Sequence, residues 1–507
     1  MRTSVRAVQA LGLLAGFYLI AIGALALLVG FDALVLTHLD GDAGAAELKL
    51  VGLSVLVAIP LVRGVFLVRR PKDEAPPGIS VSEQQQPELW ARVRGLAAQV
   101  GTRAPDEIRM VPVVNAAVSE NPRLLGLIPG HRRMLIGVPL MLGLTEPQLD
   151  AVLAHELGHY SNRDTRLAGI TVRGRQSLIT VVEHARASGR GALAALFSSY
   201  AKLYFRVSES VSRRQELAAD LAAARIAGRD HAADALRQVP ALDAAYDYYL
   251  DRYAGAGWDA GLLPLAAEFY GGFRSMLSSP KRQEELDGIR QDLPVQEASP
   301  YDSHPPMHER VAALEALPAD GRVVTGAERP ASTTVRDLDH LFAAVAATAL
   351  SPKAAGKRPV GWDELAMTAG RAGLVKDGSV ATERAGRVLR RKLTGLTDLL
   401  DAVDAGRLDE IAAALPQGDA AAKATGRVSR EIARTVAWTA FRPLVQLELL
   451  DAGRAGFVHS WDETAHLHFT DPALPDALTA ALDALVATPP DTAPLRGLLA
   501  AGADPAS

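Results

Sequence analysis

The chain has 507 residues, a net charge of −4 and no cysteine. That length exceeds what one core supports and predicts about two to four domains, while the near-neutral balance gives no reason to expect nucleic acid as a partner. Missing cysteine excludes disulfides, thiolate metal sites, a cysteine nucleophile and cysteine lipidation, so any metal must be held by histidine and carboxylate. Aromatic residues make up only 5% and Ala is abundant, a composition that favours helices.

The amino-terminal end reads as a membrane hairpin. No charged residue occurs from Ala7 to Phe31, and about 20 apolar residues suffice to span a bilayer. The apolar core of a cleaved signal peptide is shorter, about 7–15 residues. A second apolar run extends from Leu48 to Leu67, broken by Lys49, Pro60 and Arg63. Arg63 lies near its end, where a long basic side chain can snorkel to the interface. Arg2 and Arg6 precede the first run, Arg69, Arg70 and Lys72 follow the second, and Asp40, Asp42 and Glu47 lie between them. Positive charge stays cytoplasmic. The expectation is therefore a cell-membrane protein with two spans in residues 1–70, a lipid bilayer as partner, and both termini and the following domain on the cytoplasmic side. Residues 71–87 read as a linker, rich in Pro, Gln, Asp and Glu.

Beyond the linker, Glu88 to Val100 has the apolar spacing of an amphipathic helix. Glu107 to Val114 reads as a strand ended by Asn115-Ala116-Ala117. Arg133 to Val138 reads as a second strand, and Pro122 to His131 as the turn region between them. An edge strand here, at Asn115 and Ala116, is either a place where an extended peptide substrate pairs by strand addition or an ordinary structural hairpin, and the sequence fits both.

The stretch Ala151 to Tyr160 carries His155-Glu156-Leu-Gly-His159. On a helix, His155 and His159 lie one turn apart on one face, so both imidazoles reach one metal ion. Glu156 beside them is the general base of metal-assisted hydrolysis. Thr145 with Gln148 forms a capping box, and Pro147 suits the first turn. A third ligand is expected from another helix. In Ser212-Arg-Arg-Gln-Glu216-Leu-Ala-Ala-Asp220 the two acids share a face. Glu216 completes a His/His/Glu zinc site, and Asp220 accepts from the far nitrogen of a ligand histidine. The bland alternative, a solvated acidic face, fits poorly with the small and apolar residues from Ala218 to Ala224.

His155-Glu-Leu-Gly-His159, the Glu216/Asp220 segment, Ser303-His304-Pro305 with Arg310, and Asn115-Ala116 together resemble the M48 family of integral-membrane zinc metallopeptidases, which includes HtpX-like and CAAX-processing proteases. The resemblance covers roughly Pro71 to Leu317. It implies one zinc ion per chain held by His155, His159 and Glu216, with Glu156 as base and Asp220 behind the ligands. It implies that His304 acts near the oxyanion or gates access, and that Arg310 holds its segment by ion pairing. Protein or peptide substrates follow, in membrane protein quality control. HtpX-like members carry two further spans between the zinc helix and the third ligand. Here Thr165 to Glu209 is interrupted by Arg166, Arg173, Arg175, Glu183, Arg186, Arg190 and Lys202, which predicts an active site outside the bilayer.

The aromatic residues between Tyr246 and Phe273 read as core. Pro280 to Pro306 reads as a polar loop, and 318–332 as a linker. Val335 to Ala349, Trp362 to Leu374, Val380 to Leu400 and Arg427 to Leu450 have helical periodicity. Trp362-Asp-Glu-Leu-Ala and Trp461-Asp-Glu-Thr-Ala are alike but too short to define a repeat. The expected fold is mostly α. It comprises the transmembrane hairpin, an α+β gluzincin-like peptidase domain with a small sheet over 88–317, and a helical domain over 333–507 with no role assigned. Two other functions fit the same residues: a non-catalytic membrane scaffold or regulator retaining a structural zinc site, and a zinc hydrolase of small amides.

Overall fold

The computed structural model describes residues 2–37, 51–52, 54, 58, 78–123, 128–160, 178–179, 182–183, 186, 191–293, 305–321, 328–350, 352–416 and 426–501. It is mostly helical with small sheets. Two compact units share the chain, one from Met1–Ala245 with Glu284–Ala349, the other from Tyr246–Gln283 with Leu350–Ser507.

In the first unit, the first expected span forms a single helix, α1 (Arg2–Thr37). Its Phe17 is buried against Leu178, Val182, Phe197, Tyr204 and Phe205. Leu19, Leu27 and Val29 on the same helix are 69%, 77% and 67% exposed. Among the described residues no helix is long and apolar enough to cross a membrane, so the hairpin expectation is not met there. Most of the second expected span lies outside the described residues. Its Ser54 is buried and donates to the Asp32 carboxylate of α1 at 2.5 Å.

The sheet has four strands in the order β1-β2-β4-β3: β1 (Ile79–Val81), β2 (Glu107–Val111), β3 (Ala116–Arg123) and β4 (Ile128–Gly137). Helix α2 (Pro87–Val100) comes between the first two strands and buries Leu89, Trp90, Val93 and Leu96. β2 runs parallel to β4, and β3 pairs antiparallel with β4. This corrects the two-strand reading. Asn115-Ala116 opens a strand instead of closing one, and much of Pro122–His131 is strand. The alternation is present but faint: Ala116 and Val118 are buried while Ser119 is exposed. Gly137 permits the tight return, because a Cβ there would lie 2.1 Å from the Val113 carbonyl oxygen.

From β4 the chain turns through α3 (Val138–Gly143) into α4 (Glu146–Gly158), whose start has the capping box of Thr145 and Gln148 with Pro147 in the first turn. Leu149, Leu153 and Leu157 of α4 are fully buried. Helix α5 (Gly191–Ala227) is continuous for 37 residues. The part of the charge-interrupted stretch from Gly191 to Glu209 is its first half. That half packs on α1, with Tyr200 donating to the Leu13 carbonyl at 2.5 Å. Helix α6 (Arg229–Tyr249) follows, with residues to Ala245 in this unit. Further along the chain come α7 (Ala266–Leu277), which belongs to the second unit, then α8 (Pro280–Gln291), in the first unit from Glu284, α9 (Met307–Glu315) and α10 (Leu338–Thr348). The expected loop after Pro280 therefore begins with a helix. Residues 294–304 of that loop lie outside the described ones.

The second unit includes α7 and α11 (Trp362–Leu389), α12 (Leu396–Asp404), α13 (Leu408–Ala414), α14 (Gly426–Asp451), α15 (Leu474–Leu485) and α16 (Ala493–Ala500). Two short sheets accompany them: β5 (Leu262–Pro264) parallel to β6 (Arg358–Val360), and β7 (Ala455–Val458) antiparallel to β8 (His466–Phe469). Tyr246, Tyr249, Tyr253, Tyr270 and Phe273 are buried, as core packing requires. The two Trp-Asp-Glu segments meet, with Trp362 and Trp461 rings 5.2 Å apart and His459 against both.

Candidate metal centre

Helices α4 and α5 pack closely because small residues face each other. A Cβ on Gly158 would lie 3.2 Å from Ala219 Cα, and Ala154 and Ala219 are fully buried. That approach brings the acids of α5 to the histidines of α4. His155 Nε2 and His159 Nε2 are 3.2 Å apart. Each lies 3.6 Å from a Glu216 carboxylate oxygen. Glu216 is only 6% exposed. Ligands about 2.0–2.2 Å from a tetrahedral zinc ion lie roughly 3.3–3.5 Å from one another; the two imidazole nitrogens and the Glu216 carboxylate, whose Oε2 faces His155 and Oε1 faces His159, lie near that spacing.

A second layer fixes the first. His155 Nδ1–H donates to Asp220 Oδ1 at 2.9 Å. That hydrogen bond leaves the Nε2 lone pair directed at His159 and Glu216. Three electron-rich atoms facing one another call for a cation between them. Among the described residues, His155, His159 and Glu216 are the group able to hold one. Arg310 of α9 donates to both Asp220 oxygens, at 2.6 and 2.9 Å, and approaches Glu216 at 3.7 Å. Burial pushes the Asp220 carboxyl up, but hydrogen bonds from Arg310 and His155 outweigh it and hold its pKa at about 2. Asp220 is thus ionised across the working range. Its stabilising contribution is present above the ordinary carboxylate range and fades as pH falls through about 2.

Arg310 and Asp220 are 8% and 2% exposed. Removing one partner of such a pair strands the other's charge. We expect Asp220→Ala to lower stability by about 3–5 kcal/mol, and Asp220→Asn with Arg310→Met to cost less than Asp220→Ala alone. Denaturant unfolding of the full chain measures both; equal stability of Asp220→Ala and wild type would refute the pairing.

Glu156 sits on α4 next to His155, half-buried, and its charge adds to those raising the Arg310 pKa. His304 lies outside the described residues. Asn115 and Ala116 stand at the start of β3, the edge strand. The Asn115 backbone is already engaged, its N–H with the Val113 carbonyl and its own carbonyl with the Gly137 N–H, each at 2.8 Å. Strand alternation then turns Ala116 and Val118 toward the open edge. Tyr160, just past α4, donates to the Val118 carbonyl at 2.6 Å and stacks under the Arg132 guanidinium. Ala116 is therefore the open edge position nearest the start of β3. The Tyr160 pin and the Gly158–Ala219 approach escaped the sequence reading. A small residue on each of two helices is the faint signal for the latter.

Two imidazoles one turn apart on a helix, joined by a carboxylate from a second helix beside a small sheet, define a metallopeptidase-type centre. Residues 83–317 match the model of Peptidase family M48. A protease HtpX homolog of Pyrococcus furiosus is 30% identical over 175 residues, covering 31% of this chain and 58% of that protein. One from Nostoc sp. is 28% identical over 237 residues, covering 43% and 78%. Protease HtpX homolog 1 of Streptomyces coelicolor is 30% identical over 174 residues, covering 31% and 54%. The chain thus spans little more than half the length of several relatives it matches. No solved structure matches.

Proposed function

We propose that the chain is a membrane-anchored zinc endopeptidase acting on protein or peptide substrates. The observation that carries this reading is the convergence of His155 Nε2, His159 Nε2 and Glu216 at separations of 3.2 and 3.6 Å, backed by Asp220 and Arg310. Zinc, when bound, supplies a Lewis acid that polarises a carbonyl and lowers the pKa of water to about 7. His155 is held in one tautomer and orientation by Asp220. Glu156 removes the proton of the attacking water and delivers it to the leaving amine. The edge of β3 at Ala116 receives the extended substrate by backbone pairing. The exposed Leu19, Leu27 and Val29 of α1 support attachment of that helix to a bilayer surface, and the basic residues Arg2 and Arg6 support a cytoplasmic metal centre. Misfolded or membrane-associated chains are the substrate class that this placement suits.

Incubating the purified full chain with unfolded casein tests the reading. The expected result is cleavage that a zinc chelator abolishes and added zinc restores. Full zinc occupancy without cleavage would instead support a scaffold with a structural zinc site.

A further inference from the structure

The amino-terminal end of α4 is held by a segment outside the family match. The match ends at Leu317. Residues Glu328 to Arg336 then cross the starts of both α4 and α2. The Glu146 N–H donates to the Arg329 carbonyl at 2.8 Å, and Ala331 N–H to the Leu144 carbonyl at 2.9 Å. Thr333 Oγ1 donates to Glu146 at 2.7 Å, and Arg329 pairs with the same carboxylate at 3.2 Å. At its far end, Arg336 exchanges two backbone hydrogen bonds with the buried Gln86 side chain, at 2.7 and 2.8 Å.

One side chain joins this strap to the unit's interior. Glu328 accepts from Thr145 Oγ1 at 2.9 Å with one oxygen and meets His231 Nε2 at 2.5 Å with the other. Thr145 is the N-cap of α4. His231 is 6% exposed, and its Nδ1 has no hydrogen-bond partner among the described residues. Glu328 is therefore the acceptor for two buried or half-buried donors, one on the cap of the zinc helix and one on α6. Losing it strands both.

We infer that Glu328 is a positioning residue for the zinc helix, acting through Thr145 and His231 on the orientation of His155 and His159. This rests on the reading of α4 as the catalytic helix. Rotation or fraying of the cap moves both ligands together, because they share one helix. An outer-layer residue of this kind acts on metal affinity and turnover more than on substrate binding.

Glu328→Ala and Glu328→Gln in the full chain test it. The Gln side chain still accepts from Thr145 but forces His231 into the other tautomer, so its effect should be intermediate. For Glu328→Ala we expect about fivefold faster zinc release to a chelator, and faster amide exchange at Glu146 and Leu149. We also expect kcat to fall with KM unchanged. Values for Glu328→Ala equal to wild type in amide exchange and zinc release would overturn the inference. Should that variant not fold, Glu328→Gln is compared with wild type by the same measurements, and identical values overturn it. If wild type cleaves nothing, the peptidase reading fails, while amide exchange and zinc release still decide the role of Glu328.

Discussion

Glu156→Gln is expected to leave one zinc ion bound per chain and to lower peptide-bond cleavage by about 10²- to 10⁴-fold. Glu156 belongs to the same helical turn as the histidines but is not among the three groups whose donor atoms converge. Its amide replacement has nearly the same size and removes the negative charge, and with it the ability to take a proton. The His155–Asp220–Arg310 chain does not pass through it. Zinc content and stability should therefore stay at the wild-type level while turnover collapses. If activity persists, the proton acceptor is elsewhere, and the roles given to this helix must be reassigned.

Glu216→Ala is expected to have the opposite signature, with zinc lost and activity lost with it. Glu216 is the one ligand contributed by α5, so its removal leaves two neutral imidazoles on one helix as the remaining donors. Two such donors do not make a closed site for a divalent ion at ordinary concentrations. Arg310 sits 3.7 Å from the Glu216 carboxylate, and deleting that carboxylate leaves a guanidinium, still paired with Asp220, facing a site with one anion fewer. Both effects disfavour the cation. Zinc measured by elemental analysis after exhaustive dialysis should fall from one per chain to near zero. Retained stoichiometric zinc would point to another third ligand. The same preparation reports on folding, because the Asp220–Arg310 pair remains intact in this variant.

The parts of the site that sequence makes legible are those written in one helix. The capping box at Thr145 and the i, i+4 spacing of His155 and His159 are local facts. So is the i, i+4 spacing of Glu216 and Asp220 along α5. The small residues after Glu216 mark α5 as packed, which is why its acids read as more than a solvated face. What the sequence hides is pairing across distance. β3 is missed because Asn115-Ala116-Ala117 looks like a turn by composition, and its alternation is carried by one Ala and one Val. The parallel register of β2 and β4 becomes apparent only once β3 is folded back between them in the chain. The single helix α5 is obscured by the arginines and lysine within it, which break an apolar run without breaking a helix. Arg310 can be placed near the site by motif, but its bidentate hold on Asp220 is a contact 90 residues away in sequence. Glu328 carries no local signal at all. It lies in a Gly-, Asp- and Arg-rich stretch that reads as a linker, and its partners Thr145 and His231 are 183 and 97 residues distant.

The aromatic cluster of the second unit illustrates a pattern that sequence half-reveals. Two similar Trp-Asp-Glu segments are visible in the chain; both Trp rings pack against Tyr249, and Trp461 also against Tyr253. Gly272 makes room for them, since a Cβ there would lie 2.6 Å from Trp461 and 2.8 Å from Trp362. The likeness of the two segments thus reflects a shared packing job in one core.

In the proposed function, His155, His159 and Glu216 together hold a catalytic zinc ion. X-ray absorption at the zinc edge of the purified full chain tests it most directly. The expected spectrum shows a shell of low coordination number with two imidazole nitrogens at about 2.0–2.1 Å and oxygen at about 2.0–2.2 Å. An all-oxygen shell, or a spectrum unchanged by Glu216→Ala, would contradict it.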